Sequence, residues 1–307
     1  MISTDRIRRD YVKVAGNEGI LKSGGRVKAA DLHTHTKIDA ISRQKNMLEA
    51  AALKGVDLVA VTNHDQMTRK SAFRTARKIR DNWDIGLEII PASEATIRPV
   101  RDPNNRNGKH VLVLGQTEPL DPFISWYDLA ASAWRQKAKV IVAHPDLGDI
   151  SLIRDEIEII TEKGYAPNGI EIQNGSEALI RGSQPTIDKV MASRLPEWMK
   201  QRFYDGIPQL GSNKTALNIA NEFQDVIPGR TAGSDAHSKK NIGDVLVLFP
   251  ENMQLFDAME TGEILIVQLK EPEIPRPIEV IIQERRGGKI GRMPKKYRNA
   301  PEEDVAA

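Results

Sequence analysis

Two histidines, His33 and His35, stand two residues apart in the stretch "DLHTHT", and only six histidines occur in the 307 residues. His64 follows "VDLVAVTN", His144 follows "KVIVA", His237 lies in "GSDAHS", and His110 stands directly ahead of "VLVLG". Glu94 closes "LEIIPAS" and Asp235 precedes His237 by two residues. A lone buried histidine is usually a satisfied core residue. Five of them at the ends of apolar runs, with Glu94 and Asp235 among them, fit one shared site better than independent placement. Buried imidazoles and carboxylates also need compensating positive charge, which bound divalent cations supply. The ligands outnumber what one tetrahedral ion takes, so two or three ions are expected. The chain has no cysteine, so ligation falls to nitrogen and oxygen, which suits zinc, manganese or iron.

Side chains at i and i+2 leave the same face of a strand, whereas on a helix they point well apart. His33 and His35 therefore ask for a strand end, and the surrounding pattern offers one. Short β-rich runs are predicted at "RVKAADL", "VDLVAVT", "LEIIPAS", "KHVLVLG", "KVIVAHP", "NGIEIQN" and "GRTAGSD". Segments with apolar residues three and four apart separate them, predicting helices at "SRQKNMLEAAALKG", "TRKSAFRTARKIRDN", "SWYDLAASAWRQKA", "SLIRDEIEIITEKG" and "NKTALNIANEF". Alternating strands and helices favour a parallel sheet with helices on its faces. Seven strands suit a closed or nearly closed barrel, and an open doubly wound sheet is also compatible with the pattern. In either, ligands gather at the C-terminal strand ends. His110 opens its strand, so position alone places it at the other end.

The expected organisation is an N-terminal extension over 1–26, a barrel over 27–250 with a helical insertion at about 176–211, an extended or helical addition over 251–284, and a basic mobile tail over 285–307. A formal net charge of +2 is nearly balanced, and the positive excess sits in "ERRGGKIGRMPKKYRN", which argues against a nucleic-acid-binding domain. The lack of cysteine also removes disulfides and thiol nucleophiles. The start "MISTDRIRRDYVKV" carries charges where a signal peptide needs an apolar run, and no stretch of about eighteen apolar residues occurs. A soluble, cytoplasmic protein is expected.

The ordered set "DLHTHT", "VTNHD", "SEATI", "KHVLVLG", "AHPD", "EIQN", "GSDAHS" resembles the PHP family, named after DNA polymerases and histidinol phosphatase, over roughly Ala29 to Phe249. The resemblance implies a distorted (β/α)7 barrel with a di- or trinuclear metal site, most often hydrolysing phosphate esters. It implies that His33, His35, Glu94 and Asp235 hold a first metal. Glu94 would bridge to a second held by His110 and His144, and His64, His237 and Asp39 would hold a third. Glu94, Asp235 and His237 are the expected catalytic residues among these. Two departures stand out. The family's "SDG" is "IDA" here, with Asp39 one position nearer to His35, and its "TDH" is "TNH", with Asn63 in place of the acid and Asp65 after the histidine. A weaker third site or a different metal occupancy is expected to follow.

A metal-bridging hydroxide attacking phosphorus in line needs no serine or cysteine nucleophile. For substrate phosphate, "TIRPVRDPNNRNGKH" supplies Arg98, Arg101, Arg106 and Lys109, with Arg181 and Lys239 as further candidates. Trp198 and Tyr204 fit packing better than base stacking. The leading reading is a phosphatase or phosphodiesterase acting on a small phosphorylated metabolite, nucleotide or oligonucleotide, with nucleic acid as substrate only and no membrane partner. The alternative is a non-catalytic metal-bound module that serves a protein or nucleic-acid partner. Third comes an amidohydrolase-like barrel, which typically needs a metal-bridging lysine.

Overall fold

The computed structural model describes residues 7, 9–14, 26–36, 42–99, 109–145, 150–175, 188, 191–198, 200–201 and 213–270. The expected insertion over 176–211 falls mostly outside them, and residues 271–284 of the expected addition and the basic tail fall wholly outside.

Eleven strands are described: β1 (Tyr11–Lys13), β2 (Val27–Thr34), β3 (Leu58–Val61), β4 (Glu88–Arg98), β5 (Lys109–Leu114), β6 (Ile124–Ser125), β7 (Lys139–Val142), β8 (Gly169–Asn174), β9 (Arg230–Gly233), β10 (Val245–Pro250) and β11 (Leu265–Leu269). Between them lie helices α1 (Gln44–Leu53), α2 (Lys70–Trp83), α3 (Trp126–Gln136), α4 (Ile150–Glu162), α5 (Asn213–Glu222) and α6 (Leu255–Thr261). The strands form one sheet in the order β1-β11-β10-β2-β3-β4-β5-β7-β8-β9, with β6 beside β4. All seven runs read as strands and all five read as helices are found as such.

The sheet curls so that β9 returns toward β2. No regular ladder joins them. The seam is one parallel bridge, Thr34 to Ala236, with the His35 N–H donating to the Ala236 carbonyl at 2.9 Å. Asp31 reinforces it from within β2. This buried carboxylate accepts from the Ser234 N–H (3.0 Å), the Ser234 hydroxyl (2.6 Å) and the Gly243 N–H (2.8 Å). Burial pushes its pKa up to about 6, against the pull of those hydrogen bonds. On the other side of β2, β10 and β11 add antiparallel strands and β1 pairs with β11.

The sheet is not all parallel, and this corrects the expectation. β5 runs antiparallel to both β4 and β7. The reason lies in the length of β4. Read as ending at Ser93, it would leave room for a helical crossover, but the strand continues to Arg98. Only residues 99–108 then lead to Lys109, and a parallel return needs about a dozen residues or more. β4 also changes partners along its length, pairing with β3 over Glu88–Pro91 and with β5 over Ala92–Ile97.

Helices seal the outer face through narrow apolar stripes. In α2 the buried residues are Ala72, Ala76 and Ile79, spaced four and three apart, so small side chains let the helix approach closely. With Met47, Leu48, Ala51 and Ala52 of α1 they pack on Val59 and Val61 of β3. In α3, Trp126, Leu129 and Ala133 pack on Val111, Val113 and Val140. The α3 N-terminus is capped by the Ser125 hydroxyl, which accepts from the Asp128 N–H at 3.1 Å. Ile219 and Phe223 cover Ile141, Ile170 and Ile172 in a third cluster. Each fully buried Leu or Ile contributes roughly 1.5–3 kcal/mol, so the rim is mounted on a stable frame.

Candidate metal centre

The reversed β5 explains His110. Because β5 runs backward, its first residues lie beside the far end of β4, with His110 opposite Thr96. His110 thus reaches the same rim as the histidines that follow β2, β3 and β7. Glu94, read as closing its strand, instead sits inside β4, opposite Leu112. A bridge from His64 to Glu94 extends the β3–β4 pairing past the end of β3.

Glu94 is the hub. Its Oε1 lies 2.8 Å from His110 Nδ1 and 2.9 Å from His144 Nε2. Its Oε2 lies 3.0 Å from His64 Nδ1, 3.3 Å from His35 Nε2 and 3.5 Å from His33 Nε2. Asp235 closes the ring with Oδ1 at 3.1 Å from His35 Nε2, 3.6 Å from His33 Nε2 and 3.5 Å from His237 Nδ1. The His237 ring stacks on His35 at 4.1 Å between centroids. His237 Nδ1 lies 2.9 Å from the Asp235 carbonyl, an acceptor, so it carries the proton and leaves Nε2 for a metal or a proton.

The separations among His33, His35, Glu94 Oε2 and Asp235, 3.1–3.6 Å, fit a bound cation better than direct hydrogen bonding. Glu94 Oε2 and His110 Nε2 are buried and make no hydrogen bond, although an unsatisfied buried polar atom is costly. Two ligands each about 2.0–2.1 Å from a tetrahedral ion lie roughly 3.4 Å apart. His33 Nε2, His35 Nε2, Glu94 Oε2 and Asp235 Oδ1 are separated by comparable distances. Among the described residues, three groups have ligand atoms close enough to share an ion: His33, His35 and Glu94; His64, Glu94 and His110; and His35, His64 and His237.

Charges follow the geometry. Burial would raise the Glu94 pKa, but His64, His110 and His33 hold it well below the ordinary carboxylate range, and the surrounding histidines do the same for Asp235. Of the two imidazoles on Glu94 Oε1, His144 takes the proton. Burial works against it, yet the hydrogen bond and charge of Glu94 lift it to about 9. Burial pushes His110 down to about 4, helped by the positive charge of its histidine neighbours. A metal on His144 must displace that proton, so binding near pH 7 is expected to release protons and to tighten as pH rises toward 9. In the metal-free protein the bound proton stabilises the fold fully below pH 6.5, and that contribution is lost as pH rises through about 9. Melting curves and indicator-dye titrations across this range check both; a pH-independent metal affinity would refute the assignment.

Both residues that flank His64 in "TNHD" acquire physical roles. Asn63 Oδ1 accepts the Thr36 N–H at 2.7 Å, ordering the chain just after His35. Asp65 turns toward β4, where its oxygens accept the Thr96 N–H (2.7 Å) and hydroxyl (2.9 Å). It braces the strand that carries Glu94. Asp65, His144 and Asp235 adopt positive φ (49°, 27° and 47°), three of the six non-glycine residues that do so among those described. Half of these left-handed positions thus lie at the rim.

Among the phosphate-binding candidates, strand alternation puts Arg98 on the face of Glu94 and Thr96, and Lys109 on the face opposite His110. Asp39, Arg101, Arg106, Arg181 and Tyr204 lie outside the described residues, and Trp198 is exposed. One residue at the site was given no role by sequence reasoning. Glu171 of "EIQN" lies buried with Oε1 3.1 Å from His33 Nδ1. Its place within an ordered motif at a strand end was the available signal. A separate cavity of about 770 Å³, lined by Trp126, Trp134, Tyr165 and Lys139, opens where β7 begins, at the other end of the sheet. None of its lining residues is a histidine or an acid.

No family model matches the chain, and no curated protein matches it. Among solved structures it is similar to a two-domain protein from Bacteroides vulgatus ATCC 8482 containing a predicted PHP-like metal-dependent phosphoesterase (17% identity, TM-score 0.48, covering 80% of this chain and 66% of that one). PsfC from Pseudomonas syringae PB-5123 is similar over 86% of this chain and 99% of that one, at 14% identity and TM-score 0.45. The lesion-specific endonuclease PfuEndoQ from Pyrococcus furiosus is similar over 78% and 58%, at 14% identity and TM-score 0.44. No helix among the described residues is long and apolar enough to cross a membrane.

Proposed function

We propose that this chain is a metal-dependent hydrolase of phosphate esters whose curled sheet is a distorted (β/α)7 barrel of the PHP type, working in the cytoplasm on a small phosphorylated metabolite, nucleotide or oligonucleotide. One observation carries the reading: the two oxygens of a single buried carboxylate, Glu94, face two different sets of imidazoles. That arrangement suits a carboxylate shared by two ions. We assign His33, His35, Glu94 and Asp235 to one ion, Glu94, His110 and His144 to a second, and His64 and His237, with Asp39, to a third.

Divalent ions bound there supply the Lewis acidity that makes water nucleophilic near neutral pH and offsets charge on phosphoryl oxygens. The side chains do the rest. Glu94 and Asp235 stay ionised and keep the imidazoles in register. His237, with Nδ1 tied to the Asp235 carbonyl, presents Nε2 as its ligand atom. Arg98, on the same face as Glu94, is placed to meet a substrate phosphate farther out along β4.

The test is phosphate release from mononucleotides, sugar phosphates and short oligonucleotides, with a chromogenic phosphodiester alongside, in the presence of manganese. Turnover that disappears in Asp235→Asn is the expected result. Manganese-loaded protein inert toward both monoesters and diesters would refute the phosphoesterase reading.

A further inference from the structure

We propose that Glu171 is a positioning residue of this centre, braced by Asn174, which fixes the tautomer and orientation of His33 from behind; the inference rests on the metal-binding reading above. Glu171 is buried on β8 with both oxygens engaged. Oε1 and Oε2 lie 3.1 and 3.4 Å from His33 Nδ1, and Oε2 also accepts the His144 N–H at 2.9 Å and the Asn174 carboxamide at 3.3 Å. A carboxylate in that position makes Nδ1 the protonated nitrogen and leaves the lone pair on Nε2. His33 Nε2 points away from Glu171, toward His35 Nε2 (3.2 Å), Glu94 Oε2 (3.5 Å) and Asp235 Oδ1 (3.6 Å). Glu171 thus stands behind the ring, outside the ligand cluster.

The same brace reaches two further ligands. The Asn174 carboxamide also lies 3.4 Å from Asp235 Oδ2, which leaves Oδ1 turned toward the imidazoles. The His144 N–H held by Glu171 belongs to a residue at φ 27°, a conformation that needs an external hold. β8 is built for this. Residues three apart face opposite sides of a regular strand, but the pairing of β8 with β9 shifts register between Glu171 and Gln173. The irregularity brings Glu171 and Asn174 onto one side, as such bulges do. Gln173, left pointing elsewhere, bonds Gln268 at 2.7 Å. Asn174 is in turn tied to the start of α5, its N–H donating to Asn213 Oδ1 at 2.9 Å.

The experiment compares wild type, Glu171→Gln and Glu171→Ala by calorimetric titration with manganese and by the visible spectrum of cobalt(II) added to metal-free protein. Gln can still accept from His33 Nδ1–H but places a donor against the His144 N–H or the Asn174 carboxamide. Manganese affinity should therefore fall about 10–100-fold in the Ala variant, less in the Gln variant, with a changed cobalt spectrum in protein that retains its circular dichroism. If Ala does not fold, Glu171→Gln and Asn174→Ala carry the test. Folded variants with wild-type affinity and an unchanged cobalt spectrum would overturn the brace while leaving the metal centre standing. Wild-type protein that binds neither ion would overturn the metal centre and the brace with it.

Discussion

Glu94→Gln should lose bound metal and hydrolytic activity together while keeping its fold. The substitution is nearly isosteric, so the packing of β4 on β3 and β5 is preserved, but a donor amide replaces one oxygen that faces imidazole nitrogens within 3.5 Å. Changes to groups behind a metal ligand already cost about 10–100-fold, and a ligand shared by two ions should cost at least about a hundredfold. Metal content by atomic spectroscopy and turnover in manganese are the direct measurements. A second signature appears without metal. The negative charge that lifts His144 to about 9 is gone, so its titration, followed by NMR, should move down toward or below 6.5, the direction burial favours. Retention of two equivalents of metal by the variant would remove Glu94 from the centre.

Gly233→Ala should damage the same centre from its backbone side. A Cβ at Gly233 would stand 2.3 Å from His33 Cβ and 2.6 Å from the His33 nitrogen. Both are near the main chain and cannot swing aside as the end of a flexible side chain could. Overpacking of this kind costs about 1–3 kcal/mol or more. The strain falls on the seam where β9 meets β2 through a single bridge and the Asp31 hydrogen bonds. Opening the seam separates His33 from Asp235, so the melting temperature and metal content should fall together. Gly86, where a Cβ would meet nothing within 4 Å, provides the matched control, and Gly86→Ala should leave both unchanged. Wild-type metal content in Gly233→Ala would show that the seam does not position the site.

Much of this architecture is legible in the chain itself. The short, nearly continuous apolar runs mark the seven strands around the rim because a strand buried on both sides leaves little choice of residue. The three- and four-residue spacing of Ala72, Ala76 and Ile79 marks a helix because only one stripe of it is buried. The types and spacing of His33, His35, His64, His144, Asp235 and His237 suffice to propose a metal site, since polar groups clustered at the ends of apolar strands need a shared counter-charge.

Tertiary structure alone decided three things. The direction of β5, and with it the place of His110, depends on how far β4 runs before it turns, and pairing with β5 through Ile97 and with β6 at Ile97 and Arg98 carries it that far. The role of Glu171 depends on a register shift between β8 and β9, which no local pattern encodes because it is a property of two strands together. The assignment of Asn63 and Asp65 depends on which neighbours their side chains meet: Asn63 finds the Thr36 N–H and Asp65 finds Thr96. Residue types record which atoms can bind a metal, a proton or a hydrogen bond. Which atoms share a site is set by contacts between segments far apart in the chain, and those exist only once the sheet has curled.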